Sequence, residues 1–514
     1  MKPIRLLSGV VTVGFWTMLS RVLGLVREIL ITALIGPGPV MDAFVAAFRL
    51  PNMFRRFFAE GAFNAAFVPM ISKKLEAKED TRAFARNALS WLATITLVLT
   101  ALAMIFMPLF VWATAAGFAG DERFDMTVEY GRIMFPYIVC MSLAALFSGV
   151  LNATGRFAVA AAAPTLLNIF VVAALLVGYA TGGSVITWLI WTIPVAGVAQ
   201  LALTWRAASA AIGPLRPHLP KPNSDMLVLL KTAVPAALAS GVIQINLIVG
   251  QLVASQFEGA VSWLFAADRL YQLPLGVIGI AVGIVLLPDL SRRLQAKDDA
   301  GAQTALSRAA EFALFLTIPS AVALVIIPLP LVSVLFERGA TDSDDAAAIA
   351  VATTIYGLGL PAFVLQKIQQ PLFFARGDTR RPFHYAVVSM VLNAALAFGL
   401  APSLGWVAPA IATTVSGWSM VLLLWLGSRS MGEVARFDKR LRQRLWRICV
   451  AAGVMGGGLW LANVTLTPAL GTPGIRYLAL LALIASGAAL YFAAAHVLRA
   501  LRLGEVRAAM RRSG

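Results

Sequence analysis

Fourteen mostly apolar stretches alternate with short polar connections along this chain. They run over about 6–35, 40–70, 86–113, 126–150, 157–179, 184–208, 226–254, 260–290, 305–326, 345–374, 383–401, 405–427, 444–463 and 475–498. About 20 apolar residues in an α-helix match the hydrocarbon thickness of a bilayer. Lipid supplies no partner for a free backbone group, so a helix is the natural form of such a stretch. The pattern predicts an all-α polytopic membrane protein of about 14 transmembrane helices. The second, eighth and tenth stretches are long, so tilt, breaks or extension beyond the bilayer are expected there. The first stretch resembles a secretory leader at its start. It runs on through Arg21 and Arg27 with no small-residue cleavage site before them, and is expected to remain as the first helix.

The connections give a direction. Thirty of the 42 Lys and Arg residues lie in the N-terminus, the even-numbered connections and the tail. The odd-numbered connections hold only Arg123, Arg338 and Arg476, and two of them are acidic. Basic loops stay cytoplasmic, so both termini are expected on the cytoplasmic side. The remaining composition agrees: 59% hydrophobic, 13% charged, mean hydropathy +0.81. The net charge of +17 is mostly topology, suited to anionic membrane lipids and not to nucleic acid. Cys140 and Cys449 fall in apolar stretches and His218, His384 and His496 are scattered, so neither a disulfide framework nor a metal site is expected.

A repeat recurs at an offset of about 220 residues. Phe48-Arg49-Leu50 is answered by Asp268-Arg269-Leu270, and Pro69-Met70-Ile71-Ser72 by Pro288-Asp289-Leu290-Ser291. Six stretches separate the copies, an even number, so both halves keep one orientation. Parallel repeats with a site between them are a known transporter plan. The expected division is 1–222, a first six-helix lobe; 223–430, a second; and 431–514, two further helices.

Charge inside the first two stretches marks the candidate site. Arg21, Arg27, Glu28, Asp42, Arg49, Arg55, Arg56 and Glu60 lie around a Gly36-Pro37-Gly38-Pro39 turn, and Asp268-Arg269 brings a comparable pair from the other half. A charge at the bilayer centre costs about 2.5–3.5 kcal/mol on insertion scales, so such residues face a cavity or one another. Bases outnumber acids here, and arginine keeps its charge when buried. Its planar fork suits a diphosphate. Arg21, Arg27 and Arg269 are therefore the candidate anion ligands, with Glu28, Asp42, Arg49, Arg55, Arg56, Glu60 and Asp268 as gating or charge-pair residues. Arg56 and Glu60, four apart, also fit a simple intrahelical pair.

Blander roles suit the other polar residues. Lys231, Lys367 and Arg132 fit snorkelling to an interface. Asn168 and Asn393 fit a bond to a neighbouring helix, and Gln244, Asn246 and Gln251 either such bonds or a lumen. Trp263 and Phe265 read as packing residues. No catalytic triad, phosphate-binding loop or metal cluster is present in the sequence, so an enzyme is not expected.

Ser20-Arg21-Val22-Leu23-Gly24-Leu25-Val26-Arg27-Glu28, then Asp42-Ala43-Phe44, then Leu50 to Phe63 (LPNMFRRFFAEGAF) strongly resemble the MurJ (MviN-type) lipid II flippases. Val261-Ser262-Trp263 and Ala267-Asp268-Arg269-Leu270 match too. The resemblance covers essentially the whole chain. It implies the multidrug/oligosaccharidyl-lipid/polysaccharide exporter fold: two six-helix lobes around a central cavity, with the last two helices forming a lipid-tail groove. It implies movement of undecaprenyl-diphosphate-linked peptidoglycan precursor from the cytoplasmic to the periplasmic leaflet of the bacterial inner membrane, by alternating access. The positions important in that family match Arg21, Arg27, Asp42, Arg55, Glu60 and Arg269; Glu28 stands where aspartate is more usual. No cofactor is expected, the membrane potential or a monovalent ion being the candidate drive. Lipid II and the cell-wall synthesis machinery are the candidate partners, and a monomer is expected. A cation-coupled drug exporter or a flippase of another polyprenyl-linked oligosaccharide remain the alternatives.

Overall fold

A computed structural model describes residues 6–55 and 62–500; the side chains of 6–11, 54–65, 234–245, 277–285 and 287–288 lie outside the description. Among the described residues all long elements are helical. In chain order they are α1 (Leu6–Leu34), α2 (Pro39–Arg55), α3 (Ala62–Glu76), α4 (Thr81–Ile105), α5 (Met107–Thr114), α6 (Glu122–Met134), α7 (Tyr137–Ala153), α8 (Phe157–Ala180), α9 (Val185–Ile212) and α10 (Ser224–Ala254). There follow α11 (Ala260–Gln295), α12 (Asp299–Ile326), α13 (Pro328–Phe336), α14 (Ser343–Phe374), α15 (Arg380–Leu404), α16 (Ala408–Ser428), α17 (Lys439–Leu470) and α18 (Arg476–Val497).

Where its residues are described, each apolar stretch falls on one helix or on two in succession. Nine segments among the described residues are long and apolar enough to cross a membrane by length and composition. The doubled cases have a local cause. The third stretch breaks at Phe106, two residues before Pro108, and α12, which carries the ninth, gives way to α13 at Ile327, just before Pro328. Proline has no N–H to donate and a φ suited to a first helical turn, so each ends one helix and starts the next. The two breaks lie about 220 residues apart, the offset of the sequence repeat. The fourth stretch divides between α6 and α7 at Phe135-Pro136.

Short acidic or amide residues begin many of the helices. Asp80, Asp121, Asn223, Asp298, Asp342 and Asp438 each accept a backbone N–H of the first turn. Asp342 and Asp345 close a reciprocal capping box. These side chains satisfy donors that the helix cannot.

The chain divides into two compact units. The first comprises residues 1–262 with 339–341. Within it α1 packs on α8, α8 and α7 on α9, α2 on α6, and α3 on α10. Phe67 and Phe84 stack at 5.6 Å within an apolar core that also holds Ile71, Leu89 and Phe147. The connection from α9 to α10 lies strapped to α4. Asn87 donates to the Lys221 carbonyl at 2.8 Å and accepts the Lys221 N–H at 3.0 Å, while Arg82 and Arg86 donate to the Pro214 and Arg216 carbonyls.

The second unit comprises residues 263–338 and 342–514. Here α14 and α15 pack on α16, α12 on α14 and α17, and α17 on α18. Ile448, Met455, Leu459, Leu483 and Tyr491 form the core between the last helices and Phe315 of α12. Tyr491 donates its hydroxyl to the Phe315 carbonyl at 2.6 Å, which satisfies a polar tip in apolar surroundings. Trp460, Leu461, Leu478 and Leu481 stay largely exposed on the outer faces of α17 and α18, as a lipid-facing surface requires.

Candidate functional site

The buried charge of the first unit is built on α1 and α2. α1 runs unbroken for 29 residues and carries Arg21, Arg27 and Glu28 in its C-terminal half. Arg21 is half-buried. Arg27 donates through Nη1 to Asn168 Oδ1 on α8 at 3.0 Å, and its Nη2 lies 3.7 Å from Glu28 Oε2. The Arg27 side chain is 13% exposed and that of Glu28 wholly buried. Asn168 also donates through Nδ2 to the Ser20 carbonyl at 2.9 Å. Gly24 lies between Ser20 and Arg27 on the same helix, and a Cβ there would stand 3.7 Å from Asn168 Nδ2. One amide thus fixes both the packing of α1 on α8 and the direction of a guanidinium. Asn168 does bond a neighbouring helix as its sequence reading has it, and it holds a site arginine as well.

Asp42 occupies the first turn of α2, behind the Gly-Pro turn, and is fully buried. Its two carboxylate oxygens accept the backbone N–H groups of Gly259 and Ser262 at 2.8 and 2.9 Å, where α11 begins. Arg123 Nη1 lies 3.6 Å from Asp42 Oδ2. Arg123 Nε in turn donates to Asp121 at 2.6 Å, and its guanidinium covers the Phe118 ring at 4.6 Å. The Arg123 backbone N–H, and then its side chain, hold the Asp121 carboxyl below its ordinary pKa. Arg123 is thus part of the site, although the sequence reading counts it only as a loop charge. An arginine alone among Asp121, Glu122 and Asp125 was the available signal.

The other predicted residues divide. Arg49 donates to the Leu247 carbonyl of α10 at 3.4 Å. Arg55 ends α2, with its side chain outside the description, and Arg56 and Glu60 lie outside the described residues altogether. In the second unit, Asp268 accepts from Gln272 one turn on, and Arg269 covers the Phe265 ring at 4.3 Å. Phe265 is therefore a cation–π partner as well as a packing residue. Trp263 likewise packs edge-on against Trp406 and also donates Nε1 to Asp345 at 2.7 Å. Asn393 bonds Ser416 on α16 at 3.2 Å, a helix-to-helix role. Among the described residues no group of His, Cys, Asp and Glu is placed to hold a metal ion.

A second polar cluster sits where α12 meets α17. Glu311 receives Arg308, Arg440 and Arg444, and Arg308 also pairs with Asp438, the N-cap of α17. Asp438 donates its backbone N–H to Ser307 Oγ at 3.1 Å. The cluster fastens the last helix pair to α12.

Known proteins resemble this chain along its whole length. A family model described as "Lipid II flippase MurJ" matches residues 31–480. A protein named "Probable lipid II flippase MurJ" from Rhizobium tropici is 42% identical over 99% of this chain and 97% of its own length. One of the same name from Rhizobium meliloti is 43% identical over 98% and 95%. "Lipid II flippase MurJ" from Burkholderia cenocepacia is 34% identical over 95% and 96%. Among solved structures, one titled "Lipid II flippase MurJ, inward closed conformation" aligns with a TM-score of 0.79 at 24% identity, covering 95% of this chain and 98% of that one. An inward-facing multidrug resistance MATE transporter of the MOP superfamily aligns at 0.68 and 15%, covering 82% and 97%. These likenesses fix the fold, a multi-pass helical membrane transporter. By the family match and the full-length identities together, the chain belongs to the lipid II flippase MurJ family.

Proposed function

We propose that this protein moves lipid II from the cytoplasmic to the periplasmic leaflet of the inner membrane, with both termini in the cytoplasm. Family membership over residues 31–480 supports the substrate, and the loop charge bias supports the direction. The observation that carries the reading into the molecule is Arg27, held 13% exposed two turns before the end of a 29-residue helix by Asn168. Maintaining such a charge in lipid is costly and marks a functional site.

In this reading the lobes are 1–222 and 223–430, and 431–514 supplies a groove for the lipid tail. Arg21, Arg27 and Arg269 take the diphosphate by charge-assisted hydrogen bonds. Asp42, Glu28, Arg49, Arg55, Arg56, Glu60 and Asp268 make and release pairs as the lobes rock between access states. The headgroup crosses in the cavity while its hydrocarbon tail remains in lipid. An anion carried outward across an inside-negative membrane gains about 2.3 kcal/mol per charge per 100 mV, so the potential alone can bias the cycle. No bond of the substrate is made or broken. The protein acts as a monomer beside the cell-wall synthesis machinery.

Native mass spectrometry with lipid II, comparing the wild type with Arg27→Ala and Arg269→Ala, tests the site. Weaker binding in both variants is the expected result. Equal binding in all three would make these arginines structural and remove the proposed diphosphate site.

A further inference from the structure

Two ends of the last helix pair are held in opposite ways. Where α17 starts, the arginines Arg308, Arg440 and Arg444 find Glu311 and Asp438 inside the protein. Where α18 starts, two arginines meet with no such acid. Arg338 follows α13 and donates through Nη2 to the Val334 and Leu335 carbonyls at 2.6 and 2.7 Å. Arg476 opens α18 and donates to the Glu337 carbonyl at 3.2 Å and to the Tyr477 hydroxyl at 3.4 Å. Both guanidiniums lie over the one Tyr477 ring, 5.4 and 5.3 Å from its centroid. Among the described residues neither forms an ion pair with a carboxylate, and the Nε of each is buried without a hydrogen-bond partner. Burial first, and then the neighbouring Arg476, pull the Arg338 pKa below its ordinary value.

Two like charges over one ring disfavour each other's charged form, and an anion between them would relieve that repulsion. The surroundings say which kind. Ile475, the residue before α18, and Tyr477, Leu478 and Leu481 on it are exposed and apolar or aromatic, as is Leu329 on α13. This is the composition of a membrane interface, where tyrosine and arginine sit at headgroup level. The N-cap of α18, Ile475, offers no side-chain acceptor, so backbone donors of the first turn add to the same positive field.

We propose that Arg338 and Arg476 bind the phosphate of an anionic phospholipid in the leaflet at the α18 N-terminus, the outer one on the orientation given above. The phosphate bridges the residues after α13 to the start of α18, so that the lipid completes at this end what Glu311 does at the other. The site is separate from the diphosphate ligands proposed for transport, and its failure leaves that reading untouched.

The test is native mass spectrometry of the purified full chain titrated with phosphatidylglycerol. The variants are the double substitution Arg338→Gln with Arg476→Gln and its charge-preserving counterpart with lysine at both positions. A basic residue at an anionic surface contributes about fivefold in binding, so the glutamine pair should lose about one order of magnitude or more. The lysine pair should retain binding within a few-fold. Equal phosphatidylglycerol binding by wild type and the glutamine pair would overturn the proposal. So would loss of binding in both pairs alike, which would assign the arginines to the fold. Two control ligands give further outcomes. Stronger displacement by inorganic phosphate than by the lipid would overturn it in favour of a free anion. Preferential binding of a polyprenyl diphosphate at these residues would overturn it in favour of the transported substrate.

Discussion

Arg27 and Asn168, 141 residues apart, are joined by a 3.0 Å hydrogen bond between α1 and α8. The same amide reaches the Ser20 carbonyl, so it holds the helix and the charge together. Asn168→Leu removes both bonds and leaves the guanidinium without its amide acceptor. Interhelical bonds in membranes average about 0.6 kcal/mol with a maximum near 1.7. The thermal unfolding midpoint should therefore fall only modestly. Transport should fall by more than this stability loss explains, because Arg27 loses its fixed direction. A transport assay in proteoliposomes, run beside the melting curve, checks the contrast; transport intact with a lowered midpoint would reduce Asn168 to packing.

Asp42 accepts two backbone N–H groups and faces Arg123 while fully buried. Asp42→Ala orphans the two amides and leaves a buried arginine with Asp121 as its remaining acid. Removing one partner of a buried charged pair costs about 3–5 kcal/mol. Asp42→Asn keeps one oxygen acceptor and should cost less. Arg123→Ala removes the other partner of the same pair but spares both backbone bonds to Asp42, so it should also cost less than Asp42→Ala. Unfolding midpoints are the measurement: Asp42→Ala should lie lowest, with Arg123→Ala and Asp42→Asn between it and the wild type.

What the sequence reveals follows from how local each force is. The apolar stretches are legible because the bilayer imposes one length on all of them. The breaks at Phe106 and Ile327 are not read from hydropathy, which stays high across them, although Pro108 and Pro328 carry the signal. Arg27 and Asp42 stand out because a charge in an apolar run is conspicuous. Their partners do not. Arg123 and Asn168 come from other helices, 81 and 141 residues away in sequence, and look like ordinary loop and interface residues on their own. Glu311 is lost for the same reason: Arg440 and Arg444 read as topology charges until α17 is packed on α12.

That cluster makes its own prediction. Glu311 is 12% exposed and serves three arginines. Glu311→Gln keeps hydrogen-bond acceptance and removes the charge, leaving Asp438 alone against Arg308, Arg440 and Arg444. Repulsion at this end should loosen the start of α17, while the apolar packing of Ile448, Met455 and Leu483 holds the remainder. Hydrogen exchange should rise over about one turn at the N-terminal end of α17 and stay unchanged beyond Ile448. Uniform exchange along α17 in both proteins would show that the core alone fixes the helix.

Three glycines near the site offer a graded test of backbone geometry. Gly24 lies inside α1, where a Cβ would meet Asn168 at ordinary contact distance, so Gly24→Ala should be tolerated or slightly stabilising. Gly38 has φ +138° with open space around its missing Cβ, so Gly38→Ala faces only the backbone cost, about 1–3 kcal/mol. Gly36 has φ +73°, and a Cβ there would stand 2.8 Å from the Ala340 carbonyl carbon. Ala340 cannot retreat easily: its N–H is bonded to the Ala33 carbonyl at 2.9 Å, and the next residue, Thr341, donates to the Thr32 carbonyl at 2.7 Å. Gly36→Ala should therefore cost clearly more than Gly38→Ala and shift the turn that places Asp42. Unfolding midpoints of the three variants, with transport measured on each, would show the order Gly24, Gly38, Gly36. Equal losses at Gly36 and Gly38 would mean that the close approach of Ala340 carries no weight in solution.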